Sequence, residues 1–353
     1  MHFPWRTRAG TTGRPRRNAR RPVLAAGVGV ALLGSALAAS SVGPASAAAP
    51  SAGASGHVYV TNQLSNTVSV IDAATNKVTA TVPAGVAPEG IAVTPDGTHA
   101  YLADNGSGQV SVLDTRTNKI VATVPVGTSP SGVGLTPDGK TLYVTNGVSN
   151  TVSVLDTATN RVTATVPVGN SPVSVALSRD GATAYVANSG SATVSVIDTS
   201  THRVLRVLPA GVSPVAVAVT MDGGSVYVAN ETAASVSIVA TQTGTVTATV
   251  PTGEGPFGVA IGPDGRSAYV AVLGPGNLSA IDTTSHHIWA TVNIGPPKTD
   301  PFNIAATPNA LYVTNQGADT VAVLDPKTLT VTATINVGTS PYGNGPYGVA
   351  VGP

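Results

Sequence analysis

Residues 141–156 read TLYVTNGVSNTVSVLD, and this stretch decides the fold. Two short runs of Val, Leu, Thr, Ser and Tyr flank Gly147-Val148-Ser149-Asn150. Runs this short and this rich in β-branched and aromatic residues form strands, and the small polar segment between them turns the chain back. The same text recurs on both sides: HVYVTN at 57–62, HAYLAD at 99–104, TAYVAN at 183–188, SVYVAN at 225–230, SAYVAV at 267–272 and ALYVTN at 310–315. The tyrosines stand at 59, 101, 143, 185, 227 and 269, always 42 residues apart, and a seventh follows at 312. A fixed period of this length marks stacked units, none of which can bury its apolar faces alone.

Within the first repeat, strands are predicted over Val58 to Asn62, Thr67 to Ile71, Val78 to Val82 and Ile91 to Val93. Four strands in about 42 residues is the period of a propeller blade. The body opens on an intermediate strand at His57 and ends on an innermost one at Gly348 to Val351. Counting then gives an all-β, seven-bladed β-propeller with four antiparallel strands per blade. The C-terminal strand closes the ring by completing the N-terminal blade. Asp96-Gly97 and its equivalents read as tight turns, because Gly accepts positive φ without steric cost. A second turn follows Asp72 and its equivalents. Four residues on stand Asn76, Asn118, Asn160, His202, Gly244, His286 and Leu329, of which all but Leu329 tolerate the left-handed region. The series Ala92, Gly134, Ala176, Ala218, Ala260, Ala305 and Ala350 places small residues where the innermost strands are expected to crowd toward the axis.

Tyr59-Val60-Thr61-Asn62, Tyr143-Val144-Thr145-Asn146, Thr151-Val152-Ser153-Val154-Leu155-Asp156 and Pro137-Asp138-Gly139 resemble the YVTN β-propeller repeats of archaeal surface-layer and secreted bacterial proteins. The resemblance covers nearly all of 57–353. It implies the fold and an extracellular setting. Its motif residues are turn and packing positions, so it carries no catalytic residue. Some relatives are reported to bind DNA.

Charge argues against that role here. Only 10% of the 353 residues are charged, and cysteine is absent. No disulfide framework, thiolate metal site or thiol nucleophile is therefore available. Residues 1–47 hold seven of the 18 basic residues and none of the 17 acids, leaving 48–353 with a formal charge of −6. Affinity for nucleic acid comes from Lys and Arg neutralising phosphates, so no nucleic-acid partner is expected.

The leader reads as three parts: a basic stretch to Arg21, an uncharged apolar run from Val23 to Ala39, and Ala45-Ser46-Ala47 before a cut. That is the pattern of a secretory signal peptide over 1–47, and Arg20-Arg21 resembles a twin-arginine signal. Residues 48–56 form a flexible spacer. No membrane span is expected in the mature chain, which should be secreted or held in the cell envelope as a monomer.

The loops that enter the innermost strands are where propeller ligands usually bind. Three of them, around Ser131, Ser171 and Ser213, are bland. Four consecutive ones carry Glu254 and Phe257; Lys298, Asp300 and Phe302; Tyr342 and Tyr347; and Glu89. Convergent polar groups with aromatics line ligand sites, so these eight residues are the candidate binding crescent. The Asp72 series reads as turn-capping rather than calcium-binding. No HExxH, G-x-S-x-G or P-loop motif is present, so neither a metal nor a cofactor is expected.

Two functions follow. The first is a non-catalytic binding or scaffold propeller recognising a small polar ligand, a cell-wall component or a protein. The second is a propeller enzyme of lyase or lactonase/hydrolase type with an acid/base site at the channel mouth, in which Glu254 or Asp300 would be the base and Lys298 a stabiliser.

Overall fold

The structure, a computed structural model, describes residues 56–296, 298–338 and 345–353. The expected leader, and the spacer apart from Gly56, lie outside them. Among the described residues, twenty-eight strands form seven four-stranded antiparallel sheets. Blade 1 runs outward from the axis as Pro346–Val351, His57–Asn62, Thr67–Asp72 and Lys77–Pro83. The C-terminal strand therefore closes the ring as expected, pairing Val351 with Val58 and Val349 with Val60. Blades 2 to 7 follow in chain order. Their innermost strands are Pro88–Val93, Pro130–Leu135, Pro172–Leu177, Pro214–Val219, Pro256–Ile261 and Pro301–Ala306. Each begins with proline, which a strand tolerates at its first position because no ladder N–H is needed there.

The burial pattern explains the composition. In the two middle strands of a blade almost every residue is buried, so both faces are apolar or small. The outermost strands alternate instead, as in Lys77–Pro83, because only one face meets a neighbouring blade. Seven apolar clusters recur around the ring. One joins Tyr59 and Val68 of blade 1 to Leu102 and Leu113 of blade 2. No blade owns a complete core.

The repeated tyrosine joins blades through its hydroxyl. Tyr101 donates toward the Thr157 carbonyl at 3.2 Å and Asn160 Oδ1 at 3.1 Å, both on the outer hairpin of blade 3. Tyr143 and Tyr227 meet His202 Nδ1 and His286 Nδ1 in the same way. The Asn and His residues predicted in the left-handed region have φ of 52–59°, and Leu329 joins them at 55°. Leu329 cannot accept the tyrosine proton. It packs against Tyr269 instead, whose hydroxyl finds the Pro326 carbonyl at 3.0 Å. Tyr101→Phe is expected to cost about 1 kcal/mol, the net worth of one such bond, in urea-monitored unfolding. Tyr269→Phe should cost a similar amount.

The Asp ladder caps turns. Asp72 Oδ1 accepts from the Thr75 amide at 2.7 Å and its hydroxyl at 2.8 Å. These bonds hold the exposed carboxylate below its ordinary pKa.

Small residues crowd the axis, but two positions before the expected series. Ala92 and Gly134 pair with Tyr101 and Tyr143 and fill blade interfaces. The close approach is at Gly90, Gly132, Gly258 and Gly348. A Cβ on Gly90 would lie 2.3 Å from the Ser131 carbonyl oxygen of the next blade. Three threonines of the YVTN text pin these contacts. Thr145, for example, accepts from the Gly132 amide at 2.8 Å and donates to the Val173 carbonyl of blade 4 at 3.0 Å.

Candidate functional site

The axial cavity holds about 200 Å³. Its wall is largely small and uniform: Gly90, Gly132, Ser174, Ala216, Gly258 and Gly348, with the valines that follow several of them. Two aromatic side chains interrupt this wall, Phe257 from blade 6 and Tyr347 from blade 1. Both stand at the start of innermost strands, so both project at the same mouth. Phe302 of blade 7 lies between them in ring order and is 2% exposed. It stacks on Phe257 with ring centroids 3.7 Å apart and tilts against Tyr347 at 4.4 Å. Phe257 and Tyr347 meet edge to face at 6.3 Å. The three rings form one aromatic wall across three consecutive blades.

Glu89 adjoins that wall from blade 2 and is 8% exposed. Its Oε1 accepts from Gln63 Nε2 at 2.9 Å. The hydroxyls of Ser131 and Tyr347 complete its polar surroundings. Burial pushes the Glu89 carboxyl up to about 7, against the pull of hydrogen bonds from Ser131, Gln63 and Tyr347. Burial, and next the neighbouring charge of Glu89, raise the Tyr347 hydroxyl well above its ordinary value, and Glu231 adds to this from blade 5. Desolvation raises the Glu231 carboxyl as well.

The structure thus brings together Glu89, Phe257, Phe302 and Tyr347. The remaining candidates stand apart from the cavity wall. Glu254 is exposed on the rim, its carbonyl accepting from the Gly274 amide at 3.0 Å. Lys298 is exposed, with φ of 71°. Asp300, with φ of 48°, turns its carboxylate toward Gly317 of the adjoining hairpin, where an added Cβ would lie 2.6 Å from Oδ2. Tyr342 lies outside the described residues. Two residues that sequence reasoning missed belong to the site, Gln63 and Ser131, and Glu231 stands at the same mouth in the middle hairpin of blade 5. Ser131 sits in a loop read as bland. Gln63 and Glu231 each follow the Asn that ends a YVTN-like strand, and variation at that one register was the available signal.

Among the described residues no group of three or more His, Asp or Glu side chains is placed to hold a metal ion. No helix among them is long and apolar enough to cross a membrane.

The YNCE-like beta-propeller family matches this sequence over residues 38–139 and 134–224, more than half of the chain. The chain belongs to the YNCE-like beta-propeller family. Among curated proteins, this family member is 53% identical over 55 residues to the PE-PGRS family protein PE_PGRS18 of Mycobacterium tuberculosis. The match covers 15% of the chain and 11% of that protein, so the chain spans about a tenth of the length of its curated relative. Among solved structures, Kuenenia stuttgartiensis hydrazine synthase is similar with a TM-score of 0.63 and 26% identity, over 67% of this chain and 76% of that one. A functionally unknown protein from Desulfotomaculum acetoxidans gives 0.68 at 18% identity, over 84% and 99% of the two chains. Dihydro-heme d1 dehydrogenase NirN gives 0.61 at 15% identity, over 84% and 75%. The last two likenesses concern the fold alone.

Proposed function

We propose that this YNCE-like propeller is an exported, non-catalytic binding protein that acts as a monomer, and that its ligand site is the aromatic side of the axial mouth. The observation that supports this reading is the convergence of Phe257, Phe302, Tyr347 and the buried Glu89 on one side of a ring whose wall is otherwise small and aliphatic apart from Asn303. Nothing in repeat packing calls for it: three other blades enter the same mouth with Ser131, Val173 and Val215, and their sheets are equally complete. Export rests on the leader pattern of residues 1–47.

A thermal-shift screen of the full chain against sugars, cell-wall fragments, amines and lactones tests it. A ligand of the native state raises the melting temperature by mass action. The expected hit raises it by several degrees, and Phe257→Ala removes that rise. A hit indifferent to Phe257→Ala would place the site elsewhere and refute this reading.

One observation favours an enzyme as the second reading. Glu89 titrates near neutrality beside the Tyr347 hydroxyl, which suits a general acid/base. In that case Glu89→Gln abolishes turnover of a lactone or related substrate and leaves its binding largely intact.

A further inference from the structure

The acids of this propeller are not spread evenly. The mouth that carries Tyr347 is built by the loops entering the innermost strands and by the hairpins joining the two middle strands. Those segments, with the strand ends that meet them, contain six acids, Glu89, Asp104, Glu231, Glu254, Asp300 and Asp319, and one base, Lys298. The rest of the described propeller carries eleven acids and ten bases. The formal charge is therefore −5 at this mouth and −1 over the rest of the described propeller. A concave opening lined by one sign of charge focuses its field on the axis and concentrates ions of the opposite sign there.

The cavity itself supplies the second half of the argument. Phe257 and Tyr347 line it with aromatic surface, and the quadrupole of an aromatic ring, negative at its face, attracts cations. Of the acids, Glu89 and Glu231 are the two whose charges act on Tyr347. Ser131 lines the cavity and contacts Glu89, so the carboxyl stands one hydrogen bond behind the wall. Lys298, the single opposing base, is exposed on the rim. A volume of about 200 Å³ has room for roughly seven waters at ~30 Å³ each. That admits a small ligand or the end of a side chain. An anionic ligand would meet an excess of acids, with no buried Lys or Arg among the described residues to receive it. A neutral ligand would leave the field unused.

We infer that the mouth takes a small organic cation, a protonated amine or quaternary ammonium group, seated against Phe257 and Tyr347 with Glu89 and Glu231 as its counter-charges. This rests on the reading of the mouth as a binding site and names the class of its ligand.

The test titrates the full chain at low ionic strength with choline, and with the neutral isostere in which carbon replaces the quaternary nitrogen. Choline is expected to bind about tenfold more tightly than the isostere, the order of one desolvated cation–aromatic contact. Phe257→Leu keeps apolar bulk and removes the ring face. Glu231→Gln keeps shape and removes charge, on a partly exposed side chain whose replacement leaves the core alone. Each is expected to weaken choline roughly threefold or more and to leave the isostere within about twofold. Equal binding of choline and isostere, both dependent on Phe257, overturns the cation assignment and leaves the mouth as a binding site. Preference for acetate over choline does the same. If no probe binds in a Phe257-dependent way, the cation and the site fall together.

Discussion

A chain ending at Gly345 is expected to lose cooperative folding. The missing strand, Pro346–Val351, is the innermost strand of the first blade, paired with His57–Asn62. Its removal bares Val58, Tyr59 and Val60, each no more than 3% exposed in the closed ring. It also cuts one link within the blade and one to its neighbour. The Gly348 amide no longer donates to Thr61, and the Tyr347 carbonyl no longer accepts from Thr314 of blade 7. Each large apolar side chain returned to water costs about 1.5–3 kcal/mol. Three or four of them, with Val349 and the lost ladder, are comparable to a whole domain's net stability of about 5–15 kcal/mol. The bared edge is also a template for pairing with other chains. Circular dichroism should show a broad, early loss of signal in place of a sharp transition, and dye binding should report exposed apolar surface at room temperature. A sharp melt within a few degrees of the full chain's would mean that the open ring is self-sufficient and that closure is not what holds it. Val349→Ala, which keeps the strand, should shift the melt and keep its sharpness.

That closure was legible in the sequence because it depends only on order. Strand patterns repeat with a fixed period, the body begins on a second strand, and it ends on a first one. The turn chemistry was legible for a similar reason. Asp72 and Asn76 act within a few residues of themselves, so their roles do not depend on the ring. The axis was harder. The Ala92 series is small because it sits opposite the repeated tyrosine, a cross-strand relation. The crowding at Gly90 comes from the neighbouring blade's carbonyl, which a single repeat does not contain. The site divides along the same line. Phe257, Phe302 and Tyr347 stood out as departures from the repeat, and three adjacent blades bring their rings together. Glu254, Lys298 and Asp300 are equal departures in the same loops, yet they stand on the rim, because loop backbone geometry decides which way a side chain leaves the ring. Gln63, Ser131 and Glu231 look ordinary in their own repeats. They matter only through Glu89 and Tyr347, which come from other blades.

Asp104→Asn is expected to stabilise the protein at neutral pH and to do almost nothing in acid. Five of the seven repeats end their second strand in Asn, at 62, 146, 188, 230 and 315, and the second blade has Asp104. The side chain is fully buried. Ser111 donates to its Oδ2 at 2.6 Å, while Oδ1 finds no partner among the described residues. Burial pushes the carboxyl up to about 6, against the pull of the Ser111 and Gly85 hydrogen bonds. In the unfolded chain an aspartate titrates near 4. Below about pH 4 both states hold the proton, and the residue costs nothing through ionisation. Between about 4 and 6 the unfolded chain releases its proton and the folded one retains it, so stability falls as pH rises. Above about 6 the full penalty persists, roughly 2 pKa units or about 3 kcal/mol at most. Asparagine removes the charge and adds a donor where one is wanted. Asn62, Asn146 and Asn188 each donate to the serine equivalent to Ser111, at 2.9–3.0 Å. Urea unfolding at about pH 7.5 should therefore show the variant more stable by about 2–3 kcal/mol, with a melting temperature a few degrees higher. Near pH 4 the two proteins should agree within about 0.5 kcal/mol. Glu89, raised to about 7, tilts both proteins in the same direction and cancels in the comparison. A gain of equal size at both pH values would trace the effect to the new amide bond alone and remove the buried charge as its cause. No gain at either would mean that the folded carboxyl titrates where the unfolded one does, so that burying it carries no charge penalty.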